Sequence, residues 1–285
     1  MTYTIGLLHP GSMGCAFGAQ LRAGGHTVLW CPDGRSNATR HRAKQAGLEP
    51  GTLPELVSRS DVLLTLCPPA AAEDVAAQVA QQGMLDTSRI YVEANTVAPP
   101  RVQRIAARLA PMPVIDAAVV GSPPVGGKTP TLYLSGPSSQ ADRIVELFAR
   151  TDVRTHVLGD SIGQAPALKL AYSSYQKVSR VLAAVAYGAA ESYGVADELL
   201  VIAAKRTRSY LLETDYIPKA AARAWRWGPE LEDAAALLAD AGLPDSLLHA
   251  AASTLARWDG KRDERLDVAE ALEALRVERD LDGPS

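Results

Sequence analysis

The sequence predicts an α/β protein: an N-terminal Rossmann domain on a parallel sheet, followed by an all-α C-terminal domain. Three observations carry that reading. Short aliphatic runs alternate with helix-length segments through the first half of the chain, the pattern of βαβ units. A glycine-bearing turn joins the first apolar run to the first helical segment. Beyond Ile162 the strand signal stops, and Ala, Leu, Glu and Arg dominate to about residue 278.

The strands are expected at Tyr3 to Leu8, Thr27 to Trp30, Val62 to Leu66, Ile90 to Glu93, Val114 to Ile115, Leu132 to Ser135 and Thr155 to Leu158. Ala-rich helices fill the gaps at Met13 to Ala23, Asn37 to Ala46, Ala71 to Gln81, Pro99 to Leu109 and Ser138 to Ala149. In the second half Gly194, Gly228, Gly242-Leu243-Pro244 and Asp259-Gly260 punctuate helix ends. The chain therefore divides into an α/β domain, 1–160, and a helical domain, 161–285, with fraying expected after Arg279.

With 285 residues, 47% of them hydrophobic, the chain has material for two ordinary cores. A formal charge of -3 and a pI near 6.0 leave no net basic field to collect phosphates, which argues against nucleic acid or an anionic membrane as partner. Met1 to Leu8 has no basic leader and reads as a strand rather than a signal peptide. The densest apolar stretch, Val181 to Ala190, is too short for a bilayer that needs about 20 residues. Cys15, Cys31 and Cys67 are odd in number and lack metal spacing, so the simplest home is a reducing cytoplasm, with no metal expected. His156 and His249 likewise have no neighbouring ligands at metal spacing.

The segment His9-Pro10-Gly11-Ser12-Met13-Gly14 lies between the first strand and the first helix, where a dinucleotide fingerprint belongs. Gly11 and Gly14 are two of its three glycines, and His9 stands where the first should be. The helix N-terminus behind the loop offers orphan N–H groups and a positive dipole end to a diphosphate. The second strand runs into Cys31-Pro32-Asp33-Gly34-Arg35-Ser36-Asn37. Asp33 argues for NAD, but Pro32 and Gly34 put it in a turn beyond the strand end. Arg35, Ser36 and Arg40 form an anion-binding cluster suited to a 2′-phosphate, which favours NADP(H). In the bland alternative Ser36 only caps the next helix and Arg35 is solvated.

Ser122 to Thr129 nearly spells a phosphate-binding P-loop. Its first glycine is missing, however, and Pro130 followed by a strand-like run denies the helix such a loop requires. Trp225-Arg226-Trp227 reads as packing for a core or dimer interface rather than as a base-stacking motif.

Taken together, these segments resemble the 6-phosphogluconate dehydrogenase and β-hydroxyacid dehydrogenase superfamily, in the branch whose cofactor loop reads Leu-His-Pro-Gly. Gly11-Ser12-Met13-Gly14 matches the superfamily's cofactor loop, and Cys67-Pro68-Pro69 its proline loop beside the cofactor. Glu93 to Pro99 corresponds to the segment where nicotinamide and substrate meet, which implies contacts from Asn95 and Thr96. Asp116 to Ser122 resembles the substrate-contacting segment, with Gly121 and Ser122 as its candidates. Gly163 to Lys169 resembles the start of the long helix that carries the superfamily's catalytic lysine. Relatives usually place asparagine four residues later, where this chain has Ser173.

Hydride transfer to a carbonyl leaves negative charge on oxygen, so a positioned acid must stabilise it and give a proton. Lys169, Ser173, Gln176 and Arg180 fall within about 40° on one helix face, a polar stripe on an otherwise apolar segment. With the resemblance, Lys169 becomes the catalytic acid, and Tyr172 and Tyr175 are hydroxyls near the same site. Alone, the stripe reads as a solvated helix face. The resemblance implies an NADP-dependent oxidoreductase acting on a small polar hydroxy or keto compound, and a homodimer paired through the helical domain. Two alternatives are an imine reductase, which usually has aspartate or tyrosine at the lysine position, and a non-catalytic NADP-binding protein.

Overall fold

The computed structural model describes residues 2–205, 210, 213–262 and 264–276; the tail expected to fray lies outside them. An eight-stranded sheet runs in the order β3-β2-β1-β4-β5-β6-β7-β8. Its strands are β1 (Thr4–Leu7), β2 (Thr27–Trp30), β3 (Glu49–Pro50), β4 (Val62–Thr65), β5 (Ile90–Glu93), β6 (Val114–Val120), β7 (Thr131–Ser135) and β8 (Arg154–Gly159). The helices between them are α1 (Ser12–Ala23), α2 (Asn37–Gln45), α3 (Leu53–Arg59), α4 (Ala72–Ala80), α5 (Pro99–Leu109) and α6 (Ser138–Phe148). The first six strands are parallel and follow the doubly wound order, with the switch point between β1 and β4.

The residues forming these elements are those that periodicity singles out. The strands are short, nearly continuous aliphatic runs, as sheets covered on both faces require. Two apolar layers result. One gathers Ile5, Phe17, Val28, Ile115, Leu134, Ile144 and Phe148; the other gathers Leu29, Leu56, Leu63, Tyr91, Ile105 and Val114. Phe17 and Phe148 meet edge to face, with ring centroids 5.7 Å apart.

The structure departs from the sequence reading in three places. β3 and α3 fill the 49–59 interval, and Thr52 and Glu55 form a reciprocal capping box at the start of α3. β6 continues past Ile115 to Val120, so Asp116 to Val120 is strand rather than loop. The sheet is also not wholly parallel: β7 runs antiparallel to β6, because the connection at 121–130 holds no crossover helix.

The chain divides into two compact units, Met1–Ser174 and Tyr175–Ser285, so the division falls inside α7 (Gln164–Ser192) and its first turns count with the sheet. The second unit contains α8 (Ala196–Ala204), α9 (Ile217–Ala221), α10 (Ala224–Asp240), α11 (Ser246–Leu255) and α12 (Val268–Ala274). One of its cores joins Ala189, Ala235, Leu238 and Leu248; the other joins Ala221, Ala224, Trp258 and Ala271. Trp258 is buried and donates its indole N–H to the Ala271 carbonyl at 2.8 Å. Trp227 stacks on Tyr216, and Trp225 lies under the Arg262 guanidinium at 4.1 Å. No helix among the described residues is long and apolar enough to cross a membrane.

What ties the first turns of α7 to the sheet is a buried polar cap. Asp116 accepts the Gly163 N–H at 2.8 Å and the Ser135 hydroxyl, while Ser135 Oγ accepts the Ala165 N–H at 3.0 Å. Both side chains are fully buried. They satisfy donors that a helix N-terminus leaves without intrahelical partners, and the carboxylate faces the positive end of the helix. Asp116→Ala should therefore lower the stability of the sheet unit by about 2–4 kcal/mol, with Ser135→Ala costing about 1 kcal/mol. Urea titration of the three proteins checks the order.

Candidate active site

In an open α/β sheet, ligands bind beyond the carboxyl ends of the strands at the switch point. The sequence-selected segments of the sheet unit gather at that edge. The loop His9 to Gly14 follows β1, Arg35 to Arg40 follows β2, Cys67-Pro68-Pro69 follows β4, Asn95-Thr96 follows β5 and Gly121-Ser122 follows β6.

The loop after β1 is shaped by backbone contact. Gly11 caps α1 in an extended conformation without a side-chain hydrogen bond, so the first N–H groups of the helix face outward from the turn. A Cβ on Gly14 would meet the His9 carbonyl oxygen at 2.4 Å, so only glycine lets the helix sit this close to the strand end. These are the cradle and the uncapped helix end that a diphosphate needs, and the residues fit a dinucleotide.

His9 replaces the first fingerprint glycine and carries its own partner. Arg35 lays its guanidinium across the loop, with Nη1 2.8 Å from His9 Nδ1 and Nη2 donating to the Leu8 carbonyl at 3.0 Å. Arg35 is thus half-buried rather than solvated. Burial, and secondarily the Arg35 charge, hold the His9 imidazole below its usual pKa. Ser36 caps α2, accepting the Thr39 N–H at 3.3 Å, and Arg40 donates its Nε to the Arg35 carbonyl at 3.2 Å. The capping role for Ser36 is the bland reading of that residue; Arg40 lies exposed in the first turn of the helix.

Beneath the crevice a polar row crosses the sheet. Thr65 pairs in register with Glu93, Glu93 with Asp116, and Asp116 with Ser135, and all four are fully buried. Glu93 Oε1 accepts both the backbone N–H and the side-chain amide of Asn95. The same amide reaches Thr65 Oγ1 and Cys67 Sγ, each at 3.3 Å. Among the described residues, the buried Asn95 Oδ1 and Glu93 Oε2 have no hydrogen-bond partner. Burial raises the Cys67 thiol, and it pushes Glu93 up to about 7, with Asn95 as the main opposing influence.

Lys169 and Ser173 are half-buried on α7, and Tyr172 is exposed. All three fall in the first unit, on the turns that follow the Asp116 cap. Thr96 is half-buried, and Gly121 and Ser122 are exposed. Gln176 and Tyr175 fall in the second unit, and the Arg180 side chain lies outside the described residues. Among the described residues no group of three His, Cys, Asp or Glu side chains is placed to hold a metal. His156 meets Tyr133 edge-on, and His249 pairs with Glu232 at 2.6 Å.

Sequence reasoning missed the supporting roles of Glu93, Asp116 and Ser135. The signal was present: an acid inside an otherwise aliphatic strand such as VIDAAVV must be buried, and a buried carboxylate requires donors.

The raised Glu93 pKa has a consequence for stability. Unfolded, the carboxyl ionises near 4.5; folded, it keeps its proton to about 7. Its contribution is complete below the lower value and is lost as pH rises through the upper one. Glu93→Gln should therefore shrink the loss of stability between pH 5 and pH 8 by up to about 3 kcal/mol, read from urea midpoints against wild type.

The chain is similar in sequence and in fold to several known proteins. Over 176 residues the chain is 29% identical to an uncharacterized 28.5 kDa protein of Methanothermus fervidus, covering 61% of this chain and 66% of that protein's length. Among solved structures it is similar to an imine reductase from Streptomyces aurantiacus (16% identity, 96% of this chain and 100% of that one, TM-score 0.74). A reductive aminase from Aspergillus terreus in complex with NADPH and ethyl levulinate is similar at 19% identity, over 97% and 100% of the two chains, with TM-score 0.71. A conserved protein of unknown function, described as structurally similar to 3-hydroxyacid dehydrogenases, matches at 20% identity over 91% and 99%, with TM-score 0.61. Residues 190–258 match a domain of unknown function, DUF1932. Residues 4–159, more than half of the chain, match the NAD binding domain of 6-phosphogluconate dehydrogenase, and the chain belongs to that family.

Proposed function

We propose that this protein is an NADP-dependent oxidoreductase that interconverts a small polar hydroxy compound and its keto form, with Lys169 as the acid in the reducing direction. The observation that carries the reading is the anchoring of the Lys169 helix at the carboxyl edge of the cofactor-binding sheet. Asp116, level with the last residue of β5, fixes where α7 begins, and Lys169 follows one and a half turns later.

When bound, the nicotinamide supplies or accepts the hydride. His9 to Gly14 would hold the diphosphate with backbone N–H groups, and Cys67-Pro68-Pro69 would border the cofactor. Arg35, Ser36 and Arg40 would face the adenosine 2′-phosphate. Asn95, kept in one orientation by Glu93 and Thr65, would face the reacting end of the site together with Thr96. Gly121, Ser122, Tyr172 and Ser173 complete the proposed substrate contacts. Lys169 holds a proton for the carbonyl oxygen and returns to the neutral amine when it gives that proton up.

A second reading, reduction of a cyclic imine, is favoured by one observation: the exposed Tyr172 hydroxyl, three residues past Lys169, is a proton donor on the adjacent turn. The structural likeness to imine reductases is compatible with either chemistry. Turnover with NADPH across panels of 2-keto acids, semialdehydes and cyclic imines separates the two. Pairing through the helical unit is also part of the proposal. It is supported by exposed apolar side chains at Tyr193, Val195, Leu200, Val201 and Ile202, together with the exposed Trp225, but not by Trp258, which is already buried.

Lys169→Ala should leave NADP(H) affinity nearly unchanged while turnover on the first active substrate falls by roughly 10²- to 10⁴-fold. Lys169→Arg should rescue little, because a guanidinium keeps the charge but does not surrender a proton. Near-wild-type turnover in Lys169→Ala would remove Lys169 from the mechanism, whereas near-wild-type turnover in Lys169→Arg alone would reduce its role to electrostatic stabilisation. Fluorescence titration should also show NADPH bound more tightly than NADH, with Arg40→Ala lowering that preference by about 1–3 kcal/mol.

A further inference from the structure

We infer that His9 is a diphosphate-binding donor whose tautomer is set by Arg35, so that a side-chain N–H does at this position what a bare glycine turn does elsewhere. The inference rests on the cofactor half of the proposed function and is independent of the chemistry at Lys169.

The geometry leaves little choice of protonation state. A guanidinium has five donors, no acceptor and a charge it does not lose, so the 2.8 Å contact between Arg35 Nη1 and His9 Nδ1 requires a lone pair on Nδ1. The ring is then neutral and its single proton sits on Nε2. Burial and the adjacent positive charge both oppose protonation of the ring, in keeping with that assignment. Arg35 is itself held by the Leu8 carbonyl at 3.0 Å, so the donor that fixes the ring is fixed in turn to the end of the first strand.

The Nε2 edge lies where a diphosphate would be. A Cβ built on Gly11 would sit 3.5 Å from His9 Cδ2 and 3.8 Å from Nε2, so this edge of the ring borders the space left by the missing Gly11 side chain. The glycine at this fingerprint position is the one whose missing side chain lets backbone approach the diphosphate. An N–H at the border of that space, with its tautomer fixed before any ligand arrives, adds a preorganised donor to the helix N-terminus without adding charge. The cost of orienting the ring is met in the folded protein rather than on binding. Arg35 is then a positioning residue for both nucleotide forms as well as a candidate for the 2′-phosphate.

The test uses ADP-ribose, which carries the diphosphate but no nicotinamide, so its outcome does not depend on whether Lys169 is catalytic. In ¹⁵N-histidine spectra of the full-length protein at pH 7.5, with His9 assigned by its loss in His9→Gln, the free protein should show a neutral Nε2–H ring. Saturating ADP-ribose should shift the Nε2 resonance. By titration, His9→Phe should weaken ADP-ribose binding about 10- to 100-fold, the scale of a charge-assisted hydrogen bond, whereas His9→Gln, which keeps an N–H near the same place, should stay within about threefold of wild type. A Nδ1–H tautomer or an imidazolium in the free protein would overturn the inference, as would wild-type affinity in a folded His9→Phe. Should His9→Phe not fold, the spectra and the His9→Gln titration decide: an Nε2 resonance unmoved by ADP-ribose, or a more than tenfold loss in His9→Gln, refutes it.

Discussion

The candidate site depends on one constraint: a row of polar side chains buried inside a sheet must be satisfied by what lies at the sheet's edge. Thr65, Glu93, Asp116 and Ser135 occupy adjacent register positions on four consecutive strands and are fully buried. None can turn to water, so each must find its partners in the segments just beyond the strands. Thr65 and Glu93 take the amide of Asn95, and Asp116 and Ser135 take the first N–H groups of α7. The Asn95 loop and the lysine-bearing helix are thereby oriented from a single row. Two segments distant in sequence share one rigid support.

Such an arrangement explains why polar groups are tolerated at this depth. Replacing the row with aliphatic residues would remove the buried polar groups but free both segments, and a candidate site needs its side chains held closely in place. The upward shift of the Glu93 carboxyl follows from the same burial, which disfavours the charged form more strongly than the two Asn95 donors can offset.

Much of the fold was legible in the sequence because parallel strands covered on both faces are written as uninterrupted aliphatic runs, and because the fingerprint glycines have steric causes. Gly14 could be read from spacing alone, and its reason is the His9 carbonyl a Cβ would strike. β3 escaped notice because a two-residue strand of Glu49 and Pro50 carries no apolar period. β6 was cut short because Asp116 interrupts its aliphatic run, and only the three-dimensional partners turn that interruption into a cap. The reversal of β7 depends on the absence of a crossover helix between 121 and 130, a feature the broken P-loop pattern hinted at. Arg35 was legible as a cation near the nucleotide but not as a partner of His9, since 26 residues separate them and no pattern links them.

That link bears on how the nucleotide preference of such a protein drifts or is redesigned. Here Arg35 has a partner within the protein: exchanging it for an acid or a small residue releases the His9 ring to either tautomer, while exchanging His9 takes a partner from a half-buried guanidinium. Positions 9 and 35 are coupled by this contact. On the proposed reading, changing the two separately weakens binding of both nucleotide forms, and libraries that randomise the pair together avoid that loss.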